Sequence, residues 1–251
     1  MRIRSITAVL TGALTLSALL TPASHAAGYG DTTITDVVVN GGAELALGPT
    51  APKTFKVSVT ARDDSGIKEM KLRVTLSGYV YRSSDRGLTC TAKTATTSTC
   101  TGSWTVDTSN VSSNGAADDH WYVETNVTAK DGDWFDSDRA GTFTVRRLAR
   151  LTADAGPEPV GRNAPLTVTG KLSRADWKAR TYAGYSGRSV NLQFRAAGTS
   201  TYKTVKKVTS GAGGALRTTV EPTVDGYWRW MFTGTGTTST AKAGGDYVDV
   251  R

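Results

Sequence analysis

Val57-Ser58-Val59-Thr60-Ala61-Arg62-Asp63-Asp64-Ser65-Gly66-Ile67 is the stretch whose reading decides the fold. With Phe55 in front of it, Val57, Val59 and Ala61 alternate with Lys56, Ser58, Thr60 and Arg62. A period of two places one set on a dry face and the other on a wet face, as in a half-buried strand. Asp63-Asp64-Ser65-Gly66 has the composition of a turn. Met70, Leu72, Val74 and Leu76 then resume the alternation against Lys71, Arg73 and Thr75.

The same pattern extends outward. Ile34 to Val39 reads as an earlier strand, and Trp121, Val123, Val127 and Ala129 as a later one. A loop is expected from Asp131 to Arg139, followed by a strand carrying Phe143 and Val145. No stretch sustains a helical period. About seven strands separated by turn signals give the pattern of an immunoglobulin-like sandwich.

Gly156-Pro157-Glu158-Pro159 punctuates the chain after Leu148, and the pattern restarts. Leu166, Val168 and Leu172 begin it. Val190, Leu192 and Phe194 follow, then Tyr202, Val205 and Val208, then Leu216 and Val220, then Trp228, Trp230 and Phe232, and finally Val248 and Val250. Asp225-Gly226-Tyr227 reads as a tyrosine corner ahead of the penultimate strand. The expected fold is all-β: two tandem immunoglobulin-like β-sandwiches, over residues 27–148 and 149–251, after a cleaved signal peptide at 1–26.

Val57 to Ile67, answered by Val127-Thr128-Ala129-Lys130-Asp131 and Gly141-Thr142-Phe143-Thr144-Val145, resembles bacterial immunoglobulin-like modules of secreted proteins. Leu166 to Leu172 and Val190 to Arg195 look like a second module of that kind. As a whole, the chain is similar to secreted two-domain actinobacterial proteins of no established activity. The resemblance implies a fold and an extracellular setting, and it supplies no catalytic residues to carry over.

The amino end agrees with export. Met1-Arg2-Ile3-Arg4 is a positive start, Ile6 to Leu20 is mostly apolar, Pro22 breaks it, and Ser24-His25-Ala26 presents small residues where a signal peptidase reads. Thr7, Thr11, Gly12, Thr15 and Ser17 dilute a run already short for a bilayer span. No lipidation or anchoring motif accompanies it, so a secreted protein without a membrane anchor is expected. In such a compartment Cys90 and Cys100 are expected to form a disulfide that staples a hairpin. A pair this close in sequence contributes roughly 2–4 kcal/mol through the unfolded chain.

Charge divides the chain. Residues 27–148 hold 13 Lys and Arg against 15 Asp and Glu, whereas 149–251 hold 15 against 7. The second half is therefore suited to anionic surfaces. Enzyme chemistry is sparse. His120, beside Asp118 and Asp119, is the one histidine beyond the signal segment; no Gly-x-Ser-x-Gly elbow accompanies it, and one histidine with an oxidised cysteine pair falls short of a zinc site. A polysaccharide-acting hydrolase accessory, or weak hydrolase, is the alternative, since two carboxylates suffice for that chemistry.

Two constellations stand out. Asp63 and Asp64 in one turn, and Asp131, Asp133, Asp136 and Asp138 in the later loop, gather at one end of an immunoglobulin topology, where calcium could be held by oxygens alone. The spacing departs from an EF-hand, and a solvated Asp- and Gly-rich loop has the same composition. In the second half Trp177, Lys178, Arg180, Tyr182, Tyr185 and Arg188 fall in one loop-like stretch, with Lys203, Lys206 and Lys207 nearby. Open rings for sugars and cations for phosphate or carboxylate are what an anionic cell-wall polymer requires. Trp and Tyr capping a small core would give the same pattern. Another secreted protein is the other expected partner, and nucleic acid is not expected in vivo. The expected role is thus a secreted, non-enzymatic binding or structural protein of the cell envelope or medium.

Overall fold

The computed structural model describes residues 25–76, 79–83, 87–111, 113–117 and 121–251. Residues 1–24 of the expected signal peptide, and Asp118, Asp119 and His120, lie outside the described residues.

The first sandwich runs through β1 (Ala26–Tyr29), β2 (Thr33–Val39), β3 (Leu45–Leu47), β4 (Lys53–Arg62), β5 (Ile67–Leu76), β6 (Tyr79–Ser83), β7 (Thr89–Ala92), β8 (Thr97–Val106), β9 (Trp121–Ala129), β10 (Trp134–Phe143) and β11 (Val145–Arg147). One sheet has the order β1-β10-β9-β5-β6, the other β2-β4-β8-β7. The partition is that of an immunoglobulin-like sandwich: antiparallel pairs β2–β4 and β7–β8 lie in one sheet, β5–β6 and β9–β10 in the other, and the chain crosses between sheets from one pair to the next. The alternating residues pack as their period dictates: Val57, Val59 and Ala61 of β4 face Leu72 and Val74 of β5 and Val123 and Val127 of β9, all essentially without solvent. Each such aliphatic side chain contributes about 1.5–3 kcal/mol by leaving water. Cys90 and Cys100 are directly opposed on β7 and β8 and are bonded to each other, so the bridge staples two strands of one sheet.

The second sandwich comprises β12 (Ala149–Gly156), β13 (Leu166–Asp176), β14 (Thr181–Gly184), β15 (Ser189–Ala196), β16 (Lys203–Thr209), β17 (Ala215–Val220), β18 (Gly226–Phe232), β19 (Ala241–Lys242) and β20 (Asp246–Val248). β13 pairs with β12 along one edge and with β17 and then β14 along the other. The facing sheet runs β16-β15-β18, with β19 and β20 both on the far edge of β18. Leu166, Val168, Leu172, Val190, Leu192 and Trp230 fill the space between them. The chain is thus two immunoglobulin-like β-sandwiches, and among the described residues no helix is long and apolar enough to cross a membrane.

Three local expectations are corrected. The segment 131–139 is not a loop: a tight turn closes at Asp133, and β10 starts at Trp134 because residues 134–137 pair with both β1 and β9. Tyr227 is not a corner tyrosine; it lies opposite Tyr247, with the rings 5.2 Å apart on the outer face of the sheet. The Gly156–Pro159 punctuation begins on the last residue of β12, inside the second sandwich, while the chain passes between sandwiches at Leu148.

The passage is a buried joint. β13 and β14 extend beyond the end of their own sandwich, and the tip of this hairpin enters the first core: Ala175 and Trp177 are part of that cluster, with Tyr182 packed on it. Backbone pairing continues the seam. β11 pairs in parallel with β3 on one side, and Arg147 exchanges backbone hydrogen bonds with Thr237 and Ser239 on the other. Glu44 receives Arg146 Nη1 at 2.6 Å and also the backbone N–H and hydroxyl of Thr240. Asn114 donates to Asp176 and accepts from the Trp177 backbone N–H, at 3.0 and 2.9 Å.

Candidate functional site

At one end of the first sandwich, the turns β4–β5 and β9–β10 bring Asp63, Asp131 and Asp133 together, so that carboxylate oxygens of the three lie within 4.8 Å of one another. Asp31, in the β1–β2 turn, forms a second such triad with Asp63 and Asp64. Asp31 carried no motif; only the return of β1 to the edge of β10 places it here. Asp136 and Asp138 do not belong to the cluster. Once 134–143 is a strand, Asp136 stands opposite Ala27 and Asn126, and Asp138 pairs with His25 at 3.3 Å.

The tip's electrostatics are uneven. Asp63 is buried, which alone would raise its pKa, yet the N–H and hydroxyl of Ser65 and the Thr32 hydroxyl donate to it and hold it below the ordinary carboxylate range. Desolvation, then the charges of Asp64 and Asp63, push Asp31 above that range. The donors are hard oxygens, as calcium prefers. However, Asp63 already receives three hydrogen bonds and Asp133 Oδ2 receives the Asp31 N–H. Two small triads sharing a committed carboxylate offer few free oxygens against the six to eight calcium takes.

The segment from Trp177 to Arg188 departs from its expected form. Trp177 is 2% exposed and Tyr185 5%, so neither ring is open to a sugar. Trp177 is consumed by the joint. Tyr185 lies under two guanidinium groups, with Arg174 at 3.8 Å and Arg188 at 4.6 Å from its ring centre, and Tyr182 lies under Arg150 at 3.7 Å. Lys178, Arg180 and Arg188 remain exposed. The rings have become platforms that orient cations, an arrangement favoured by guanidinium stacking.

A second basic face, not singled out in the sequence, covers the outside of the sheet β16-β15-β18. Gln193 and Arg195 of β15 lie opposite Arg229 and Tyr227 of β18, and Tyr227 lies opposite Tyr247 of β20. Tyr202, just ahead of β16, crosses the face with Arg229 stacked 3.6 Å and Arg195 5.3 Å from its ring centre, while Arg195 also covers Tyr227 at 4.0 Å. Period-two alternation assigns Tyr227, Arg229 and Met231 to this outer face, but it does not show that a tyrosine from another strand will lie between the guanidinium groups.

No family model matches the chain, and no curated protein matches it. Among solved structures, the mouse nectin-like molecule 4 ectodomain aligns over 89% of this chain and 65% of that one at 12% identity and a TM-score of 0.27. The D00–D0 domain of intimin aligns over 85% and 99% at 12% and 0.27, and titin domains A168–A170 over 87% and 68% at 7% and 0.28. At these scores the likenesses add nothing to the strand order and register above.

Proposed function

We propose that this is an exported, non-catalytic protein of the cell envelope or surrounding medium, which binds an anionic wall polymer through its second sandwich. The observation that carries the reading is the state of the cations there. Lys178, Arg180, Arg188, Arg195, Lys203 and Arg229 have no carboxylate within ion-pair distance among the described residues. Arg188, Arg195 and Arg229 instead have their guanidinium carbons over tyrosine rings, 4.6, 4.0 and 3.6 Å from the ring centres. Unneutralised positive charge on an ordered surface attracts a polyanion and releases its counterions. The Cys90–Cys100 bridge supports an oxidising compartment, and the amino-terminal pattern supports a cleaved signal peptide.

Co-sedimentation of the purified protein with insoluble cell wall at low and high salt tests this. Salt-sensitive pelleting with no soluble product released is expected. Protein that stays in solution at every salt concentration rules the reading out, and release of soluble sugar assigns the alternative hydrolase activity.

A further inference from the structure

Building on that reading, we propose that the polymer is contacted through the outer face of β15 and β18, with Arg195 and Arg229 as the contact groups, and that its anionic groups are phosphodiesters in the polymer backbone.

Three cross-strand rows make up the face: Lys207–Asn191–Met231–Lys242, Thr204–Gln193–Arg229, and Arg195–Tyr227–Tyr247. Two guanidinium groups stand diagonally across adjacent strands, about 7–8 Å apart at the backbone, with a lysine at each end of the neighbouring row. Both are pre-oriented. Arg229 Nε donates to Gln193 Oε1 at 2.9 Å, Arg195 Nη1 donates to the Thr199 carbonyl, and each guanidinium carbon lies over a tyrosine ring. Their remaining N–H groups have no protein acceptor among the described residues, which leaves fixed donor edges; the Asp225 carboxylate stands at the rim of the face, where it accepts the Tyr247 hydroxyl at 3.4 Å. Held in this way, an arginine loses less side-chain freedom on binding than a free one.

The occupied ring faces narrow the chemistry. Tyr202 and Tyr227 are covered by guanidinium groups, so the centre of the face offers neither for stacking sugars or bases, and the open ring, Tyr247 at 41% exposure, lies at the edge strand away from Arg229. A uronic-acid polymer carries its anion on a sugar ring, and single-stranded nucleic acid is gripped largely through base stacking. A polyol or sugar chain linked by phosphodiesters presents its charge in the backbone, where donor edges alone can reach it.

Tyr202 also supplies a variant that leaves every charge in place. A Cβ on Gly245 would come 2.2 Å from the Tyr202 hydroxyl, and the Gly245 backbone is not left-handed, so Gly245→Ala dislodges the ring without backbone strain.

The test is the affinity of the whole protein for synthetic poly(glycerol phosphate) over a salt series. Arg195→Gln/Arg229→Gln should weaken binding roughly tenfold and flatten the slope of log affinity against log salt by about 2, one for each lost contact. Gly245→Ala should weaken it by a smaller factor, and Lys53→Gln/Lys56→Gln, at exposed positions of β4 in the first sandwich, should leave it within about twofold. Melting temperature confirms that each variant is folded. Wild-type affinity in the double arginine variant overturns the assignment while the proposed function stands; failure of wild type to bind both this polymer and cell wall overturns both. Equal binding to polygalacturonate, or tighter binding to single-stranded oligo-dT at matched anion concentration, overturns the phosphodiester-backbone chemistry.

Discussion

Trp177 donates its indole N–H to the carbonyl of Leu47 at 3.3 Å, across 130 positions of sequence and across the boundary between the two sandwiches. Both residues are buried, and both belong to the core of the first sandwich. Removing the ring leaves a cavity beneath β3 and withdraws the anchor of the β13–β14 hairpin. Trp177→Ala should cost about 3–5 kcal/mol and split a single urea transition into two. Trp177→Phe should cost less and keep one transition. An unchanged single midpoint in the alanine variant would show that the joint does not couple the sandwiches.

The disulfide closes a short loop between opposed residues of β7 and β8. Replacing both cysteines with serine should destabilise the first sandwich by about 3 kcal/mol through the unfolded chain. Part of any excess would come from Cys100, whose side chain is buried where a serine hydroxyl would need a partner. Denaturation midpoints with and without reductant, in wild type and variant, separate the two contributions.

Asp31 and Asp63 respond to acid in opposite senses. Asp63 is held below its ordinary range, so its contribution to stability is present above the unfolded value of about 3.9 and is lost as pH falls through its folded value. Asp31 is raised, so its ionised form opposes folding at neutral pH, and that opposition disappears in acid. Asp31→Asn should therefore raise the melting temperature at pH 7 in the presence of a chelator, with the gain vanishing below about pH 3.5. A lower melting temperature for Asp31→Asn at pH 7 would show that the tip is not under like-charge strain.

Thr125 faces inward on β9, and its hydroxyl has no hydrogen-bond partner among the described residues although the residue is only 2% exposed. Thr125→Val keeps the shape and removes an unsatisfied polar group. It should stabilise the protein by about 1 kcal/mol, read as a higher denaturation midpoint at unchanged slope. A destabilised variant would indicate that the hydroxyl is satisfied in solution.

Much of the fold was legible from alternation. The period-two runs of β4, β5, β9, β13, β15 and β18 name their own buried faces, and the turn Asp63–Gly66 is where its composition places it. The loop 131–139 was misread because a strand with Asp136 and Asp138 on it looks like a turn until its neighbours are known; β1 on one side and β9 on the other supply the hydrogen bonds that outweigh composition. Trp177 was misread for a related reason. Its local sequence is polar, and its burial depends on distant partners, Asn114 at 63 positions and Leu47 at 130. Of the candidate sites, the acidic turns were readable because their carboxylates are close in sequence. The Arg195–Tyr202–Arg229 stack was not, because it joins three segments that only sheet pairing brings together.

The hairpin tip that completes the first core also sets an order of events. Residues 27–148 contain nearly all of that core yet lack Ala175, Trp177 and the covering Tyr182. Roughly thirty further residues must therefore be available to the folding chain before the first sandwich can close its base. A fragment cut at Leu148 would leave the apolar floor around Leu45 and Leu47 open to water. The two sandwiches are separate in sequence, but the first is not finished until the second has begun to form.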